Sequence, residues 1–196
     1  MLILASQSPT RITLLNNAGL RFTAMAAPID ERKAEHDALT QDSNRAALAR
    51  SLAEAKALVV SRTEPDAMVI GADQTLDFDT REIHKPVSRD QAAAQLMAIA
   101  GTSHALHSGV ALARDGRIVW STVESAILRF KPFSRQTLDA VLDLEGDAIL
   151  GSVGAYRLEG PSLRLFEAIE GDYFTILGLP MLALLDALER HAPEVF

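Results

Sequence analysis

Residues 2–15, LILASQSPTRITLL, decide the fold of this chain, because they combine a buried strand, a tight loop and the start of a helix. Residues 2–4 form a short apolar run of strand length. Pro9 has a fixed φ that suits the first helical position, and it disfavours the α region for Ser8, which predicts Ser8 as the N-cap. The stretch therefore predicts a strand–loop–helix unit whose helix N-terminus can hold an anion.

Arg11 lies in the first turn of this predicted helix, where a cation opposes the positive end of the helix dipole. The position is favourable if an anion binds nearby, whereas the alternative is an arginine that points into water. The local sequence leaves both interpretations open. No GxxxxGK pattern occurs in the sequence, so the loop is not a P-loop.

The bulk properties are those of one ordinary globular domain spanning residues 1–196. The net charge of −7 argues against a nucleic-acid or membrane-surface protein, since both depend on clustered Lys and Arg. The sequence has no cysteine, which excludes disulfides, a thiol nucleophile and a Cys-based zinc site. It shows no signal-peptide pattern and no apolar run of membrane-spanning length, so we expect a cytoplasmic protein.

Periodicity and turn residues predict an α/β fold with a mixed sheet flanked by helices. The predicted elements after the first helix, which Gly19 ends, are a strand at 20–27, a helix from Ser43 or Asn44 to Val60, a strand at 67–72, a hairpin at 75–83, a helix at 88–99, an antiparallel pair at 104–130 around Asp115-Gly116, a helix at 134–144, a strand at 166–169 and a helix at 180–190. Ser88 and Gln91 predict a capping box at the start of the helix at 88–99. The glycines of 151–160 predict a strand or loop that passes close to another group.

A few side chains stand out on these elements. Asp73 follows the apolar run at 67–72, where ligands gather in open α/β sheets, so it is the best candidate for a general base or metal ligand, with turn capping as the alternative. Lys56 lies near the edge of the predicted apolar stripe of its helix, and the local sequence favours a solvated side chain. His104 and His107 would not share a strand face, which disfavours a joint metal site.

Six motifs occur in order along the chain: SQSPTR at 6–11, PIDE at 28–31, AKA at 55–57, IGAD at 70–73, KP at 85–86 and EGDYFTILGLP at 170–180. Together they resemble the Maf family of nucleoside triphosphate pyrophosphatases, over nearly the whole chain. The resemblance implies an elongated α/β fold with two lobes and a central cleft, and commonly a homodimer. It also implies hydrolysis of nucleoside triphosphates to the monophosphate and pyrophosphate with a divalent metal, Mg²⁺ or Mn²⁺.

Carried over by position, the resemblance implies Asp73 as the proton acceptor and Glu31 with Asp73 as metal ligands. Phosphate binding would fall to Ser8, Arg11, Lys56 and Lys85. This reverses the local interpretation of Lys56 and favours a functional Arg11. Three cationic side chains and one divalent ion would sum to about five positive charges against the roughly four negative charges of a triphosphate, so the local charge can offset the acidic chain.

The resemblance also implies that base preference depends on Thr10, Gln74 and Glu159. Gln74 and the segment GAYRLEG at 154–160 are closer to the 7-methyl-GTP branch than to the dTTP/UTP branch. A carboxylate at 159 accepts hydrogen bonds only, which suits a purine N–H edge or a cationic 7-methylguanine ring. Thr10 matches neither branch and lacks an aromatic stacking surface, and His84 stands where the family usually has glycine.

Two other functions stay open alongside clearance of a modified purine nucleotide. One is a nucleotide-sensing or septum-regulating module that binds triphosphates without turnover, and the other is a dTTP/UTP pyrophosphatase. The retained acid and cation set favours catalysis over sensing. A nucleic-acid binder is disfavoured by the acidic charge and by the lack of a basic stripe with aromatic residues.

Overall fold

The computed structural model describes residues 1–30, 44–78 and 85–196. Its strands form a six-stranded mixed sheet in the order β2-β1-β3-β4-β5-β6, with parallel β2-β1 and β1-β3 pairs and an antiparallel β5-β6 pair. The strands are β1 (Leu2–Leu4), β2 (Thr23–Ala24), β3 (Met68–Asp77), β4 (Ser103–Arg114), β5 (Arg117–Phe130) and β6 (Phe166–Glu170). The helices are α1 (Pro9–Asn17), α2 (Arg45–Thr63), α3 (Arg89–Ile99), α4 (Arg135–Glu145), α5 (Tyr173–Ile176) and α6 (Met181–His191). The predicted α/β class is confirmed.

The chain folds into two compact units. The first contains Met1–Thr75, His107–Ser125 and Asp172–Phe196, and the second contains Leu76–Leu106 and Ala126–Gly171. The main core of the first unit packs aliphatic side chains of β1, β3 and β4 against α1 and α6; its members include Leu4, Leu15, Ile70, Leu112 and Leu184. The second unit buries an aromatic cluster in which Phe130 stacks on Phe166, with 4.4 Å between the ring centroids.

Local capping signals gave correct predictions. Ser8 is the N-cap of α1, and its hydroxyl accepts from the Arg11 N–H at 3.5 Å. In α3 the Gln91 N–H donates to Ser88 Oγ at 3.2 Å, while the Val87 N–H donates to Gln91 Oε1 at 2.7 Å, which is a capping box shifted by one residue.

The β4-β5 turn and the chain reversal after α1 were also predicted correctly. Asp115 and Gly116 have φ of 51° and 67°, as a two-residue hairpin turn requires. Gly19 has φ of 76°, in the left-handed region that ends helices. The helix bounds near 44, 88, 134 and 180 agree with the sequence to within a few residues.

Two predictions need correction, and one short helix was missed. β2 contains only two residues, because the rest of the predicted 20–27 strand makes no ladder. β3 continues to Asp77, so Asp73 lies inside a strand rather than after it; it nevertheless lies beyond the carboxyl end of β1, whose pairing with β3 ends at Leu4 and Ile70. The short helix α5 was not predicted, since four residues carry no helical period. The predicted hairpin around 79–81 lies outside the described residues.

None of the helices in the described ranges is both long and apolar enough to cross a membrane.

Candidate active site

Lys56 meets Asp73 because α2 lies directly on β3. A Cβ placed on Gly71 would lie 2.1 Å from the Ala53 carbonyl oxygen and 2.6 Å from the Ala57 nitrogen, so only glycine allows this approach. The approach brings the helix face containing Ala53, Lys56 and Ala57 onto the strand. Lys56 Nζ then lies 2.6 Å from Asp73 Oδ1.

A second glycine supports the same placement. A Cβ on Gly109 of β4 would lie 2.3 Å from the Ala49 carbonyl oxygen, so α2 approaches β4 as closely as it approaches β3. The buried positions of α2 therefore include Ala49, Ala53, Lys56 and Ala57, and Lys56 lies within the buried face. The local prediction of a solvated Lys56 is wrong, because the two close glycines turn a different stripe of the helix inward.

The Lys56–Asp73 pair is largely shielded from water. The two side chains keep 10% and 13% of their surface exposed. Charge attraction is stronger in such a partly desolvated setting than at a surface. The pair sums to zero charge, so Asp73 offsets the cation of Lys56 before any ligand arrives. The remaining exposure leaves both charged groups in contact with solvent.

Arg11 joins three segments that are distant in the sequence. Its Nε donates to the Gly178 carbonyl at 2.9 Å, and its Nη1 donates to the Ala72 carbonyl at 3.0 Å and to Ser6 Oγ at 3.3 Å. Arg11 therefore does not simply point into water. Because Ala72 directly precedes Asp73, the guanidinium fixes the backbone next to the candidate base. The SQSPTR, IGAD and GLP segments thus converge in the first unit.

Gln74 is held by a buried hydrogen-bond network. Its Nε2 has two hydrogens, which donate to Ser108 Oγ at 3.0 Å and to the Ile176 carbonyl at 3.0 Å, and the Thr175 carbonyl at 3.2 Å shares one of them. The Ser108 hydroxyl donates to the Thr175 carbonyl at 2.7 Å, and the Thr175 hydroxyl donates to Glu124 at 2.8 Å. The nitrogen end of the Gln74 amide is therefore used by protein oxygens, and its carbonyl oxygen is the end suited to accept from a ligand.

Sequence reasoning missed Ser108 and Thr175, both of which are fully buried. The available signal was a hydroxyl inside an apolar stretch, since buried polar side chains require partners. That signal does not identify the partner. Gly71 and Gly109 were missed as packing sites for the same reason.

The other predicted residues divide between the two units. Ser8 and Thr10 lie at the start of α1 in the first unit and are both half-buried. Lys85 and Glu159 belong to the second unit, where Lys85 is exposed and the Glu159 side chain is 32% exposed. Glu31 and His84 lie outside the described residues. Across the three described ranges, no three His, Asp or Glu side chains form a group that could hold a metal.

The segment 151–160 passes close to another group, as its glycines predict. A Cβ on Gly160 would lie 2.6 Å from Glu145 Oε1, so the loop presses against a buried carboxylate. Glu159 Oε1 lies 3.5 Å from Arg157 Nε. The candidate base-reading carboxylate is therefore part of a charged cluster.

The two histidines of β4 face opposite sides of the strand, as predicted. His104 is buried, with Nε2 2.6 Å from the Tyr156 hydroxyl, whereas His107 is half-buried and its Nδ1 lies 2.7 Å from Ser125 Oγ. Burial lowers the pKa of His104 to about 4 and raises the pKa of the Tyr156 hydroxyl. His104 is therefore a neutral core residue at physiological pH.

A family model described as Maf-like protein matches residues 1–191 of the chain. The chain belongs to the Maf-like protein family. Among its Maf-like relatives, a nucleoside triphosphate pyrophosphatase of Caulobacter vibrioides is 50% identical over 188 residues, covering 96% of this chain and 94% of the relative. A 7-methyl-GTP pyrophosphatase of Rhizobium meliloti is 50% identical over 190 residues, covering 97% and 96%. Among solved structures, a HAM1 protein from Coxiella burnetii is similar with a TM-score of 0.43, 14% identity and coverage of 66% and 71%.

The family assignment agrees with the six ordered motifs. Four of them, at 6–11, 55–57, 70–73 and 170–180, supply the contacts around Asp73, and the contributing residue of the last motif, Gly178, lies in the first unit. This Maf-like protein thus brings together segments that the sequence separates by more than a hundred residues.

Proposed function

We propose that this protein is a nucleoside triphosphate pyrophosphatase. It hydrolyses the anhydride bond between the α- and β-phosphates and releases the nucleoside monophosphate and pyrophosphate. The observation that carries the proposal is the 2.6 Å contact between Lys56 and Asp73, which puts a cation beside a carboxylate at the edge of solvent. The names of the relatives, at about 50% identity over nearly the full chain, support the same reaction.

The chemistry needs one proton acceptor and several positive charges. Water forms a bond to the α-phosphorus, its proton passes to Asp73, and the bond from that phosphorus to the bridging oxygen breaks as pyrophosphate leaves. Lys56 shifts from Asp73 to a phosphate oxygen, which frees the carboxylate at the moment the substrate arrives. Arg11, Ser8 and Lys85 complete the proposed phosphate set.

A divalent metal, Mg²⁺ or Mn²⁺, is part of this proposal. Asp73 and Glu31 would hold it, and one or two carboxylates are what Mg²⁺ takes when substrate phosphates provide the other oxygens. When bound, the ion supplies positive charge at the phosphate oxygens.

For the base, we propose a purine of the 7-methyl-GTP type. Glu159 is an acceptor, and Gln74 keeps its carbonyl oxygen for a ligand, so both suit a ring edge that donates hydrogen bonds. Relatives named 7-methyl-GTP pyrophosphatase support this choice, for example those of Rhizobium meliloti and Brucella abortus. Thr10 provides no stacking surface, so discrimination would depend more on these acceptors than on stacking. The corresponding cellular role is the clearance of modified nucleotides. In this proposal the protein acts as a homodimer.

The test is a steady-state assay of pyrophosphate release with Mg²⁺ and with Mn²⁺. We expect release from nucleoside triphosphates, with a higher kcat/KM for 7-methyl-GTP than for GTP, dTTP or UTP. A preference for dTTP and UTP would support the pyrimidine alternative. Tight binding without turnover under either metal would favour the sensing module.

A further inference from the structure

Glu145 is a buried carboxylate that the proposed reaction does not use. It is the last residue of α4, and its side chain has no exposed surface. Its Oε1 accepts from the Ser162 N–H at 2.8 Å and from the Ser162 hydroxyl at 2.7 Å. Two such hydrogen bonds do not neutralise a buried charge, which is costly without an opposite charge nearby.

Arg157 supplies that opposite charge. Its Nη1 lies 3.6 Å from Glu145 Oε2, and its Nε lies 3.5 Å from Glu159 Oε1. One planar guanidinium therefore contacts a fixed carboxylate inside the second unit and the candidate base-reading carboxylate at its surface. Both contacts are ion pairs rather than hydrogen bonds, and Glu145 Oε2 accepts no hydrogen bond from the described part of the chain. The attraction between Arg157 and this enclosed charge limits where the guanidinium can lie, and through it where Glu159 is favoured.

The charges of this cluster leave Glu159 available to a ligand. Two carboxylates and one guanidinium sum to a charge of −1. Arg157 therefore contacts both acids but neutralises the charge of only one. The side chains of Arg157 and Glu159 keep 34% and 32% of their surface exposed. A ligand that presents N–H donors or a cationic ring to Glu159 would compensate the remaining negative charge.

We propose that Arg157 is a positioning residue for base selectivity, and that it acts by holding Glu159 against the anchor at Glu145. The inference rests on the proposed function, since it takes Glu159 to be the residue that meets the base. It assigns to Arg157 a role that the neighbouring Arg164, which is exposed, does not have.

The experiment measures the ratio of kcat/KM for 7-methyl-GTP to that for UTP, on the same preparation of each variant. This ratio is independent of the fraction of folded enzyme, so a merely structural role of Arg157 would not change it. We expect Arg157→Gln to lower the ratio by about fivefold or more, in the range of ordinary coupling between sites, and Arg157→Lys to recover part of it. Arg164→Gln removes the same charge from an exposed position and should stay within about twofold of the unmodified protein.

The double variant Arg157→Gln with Glu159→Gln shows whether Arg157 affects base selectivity through Glu159. If Arg157 acts through Glu159, the double variant has the ratio of Glu159→Gln alone, because the second change removes nothing further. A ratio within about twofold of the unmodified protein in Arg157→Gln, or two effects that multiply in the double variant, would overturn the inference.

Failure of the proposed function would look different, because no nucleotide would then release pyrophosphate. The same variants can be compared in the Asp73→Asn background, using dissociation constants for the two nucleotides instead of rates. A lowered ratio of affinities in Arg157→Gln supports the inference in that case, and an unchanged ratio overturns it.

Discussion

The two units bury their acidic side chains in different ways. In the first unit, Asp73 keeps 13% of its side chain exposed and lies against the ammonium of Lys56. In the second unit, Glu145 has no exposed side-chain surface and accepts two hydrogen bonds from Ser162. A fully enclosed carboxylate is part of the packing, whereas a charge pair at the edge of solvent can exchange its partner for a ligand. Loss of the first acid should therefore cost activity, and loss of the second should cost stability.

The largest effect should come from Asp73→Asn. Without a proton acceptor, pyrophosphate release should fall by about 10³-fold or more, while the nucleotide still binds. The midpoint of thermal unfolding should fall modestly, because the amide oxygen of asparagine can still accept from Lys56 but no longer compensates its largely buried charge. The measurement combines steady-state turnover with nucleotide binding by calorimetry.

Asp66→Asn is the matched control for this change. Asp66 is an exposed carboxylate of the same unit, in the turn before β3, and its loss should leave turnover within about twofold. If Asp73→Asn kept most of the activity, Asp73 would not be the proton acceptor, and the contrast between the two acids would fail.

Glu145→Ala should have the largest effect on stability. It leaves the N–H and hydroxyl of Ser162 without their acceptor and removes the enclosed negative charge that Arg157 Nη1 faces at 3.6 Å, so the free energy of unfolding should fall by about 4 kcal/mol. Urea denaturation measures this difference. Glu167→Ala, at an exposed position of β6, is the control and should change stability by about 0.5 kcal/mol or less. A loss below about 1 kcal/mol for Glu145→Ala would show that the enclosed carboxylate is not a packing element.

Sequence alone predicted the features that depend on neighbouring residues. Ser8 before Pro9, Ser88 with Gln91, and Asp115-Gly116 each satisfy a backbone need within four residues, so their local pattern is sufficient. The buried face of α2 was misjudged, because the close approach at Gly71 and Gly109 depends on strands far along the chain.

For the candidate site, too, the sequence predicted some features and missed others. The motifs identified Asp73, Lys56 and Arg11 as candidates, but no spacing rule predicts that residues 56 and 73 form an ion pair or that Arg11 reaches the carbonyl of residue 178. Glu145 gave no signal, since a glutamate at the end of a helix is ordinarily exposed. Only the packing of the 157–162 segment against it shows that this one is enclosed.

Lowering the pH should destabilise the second unit through protonation of His104. Its pKa of about 4 lies below the ordinary value of 6.5, so the unfolded chain takes up a proton first as the pH falls. Stability should therefore be unaffected above about pH 6.5 and should drop by about 3 kcal/mol between there and pH 4. Urea denaturation across this range should show a shallower loss in His104→Gln, which cannot take up that proton. Parallel pH profiles for the two proteins would contradict this assignment.

The smallest expected effects come from replacing two buried serines. One serine holds a residue next to Asp73, and the other holds the backbone of a turn. Ser108 and Ser61 are both fully buried, and each accepts one hydrogen bond, from Gln74 Nε2 at 3.0 Å and from the Gly116 N–H at 2.9 Å. Ser61→Ala should cost about 1 kcal/mol of stability, and Ser108→Ala about 1 to 2 kcal/mol, because the Ser108 hydroxyl also donates to the Thr175 carbonyl at 2.7 Å. Ser108→Ala should also lower kcat/KM by about threefold to tenfold, since it loosens the amide next to Asp73, whereas Ser61→Ala should not. Equal activities in the two variants would mean that the backbone carbonyls of Thr175 and Ile176 hold Gln74 without help from Ser108.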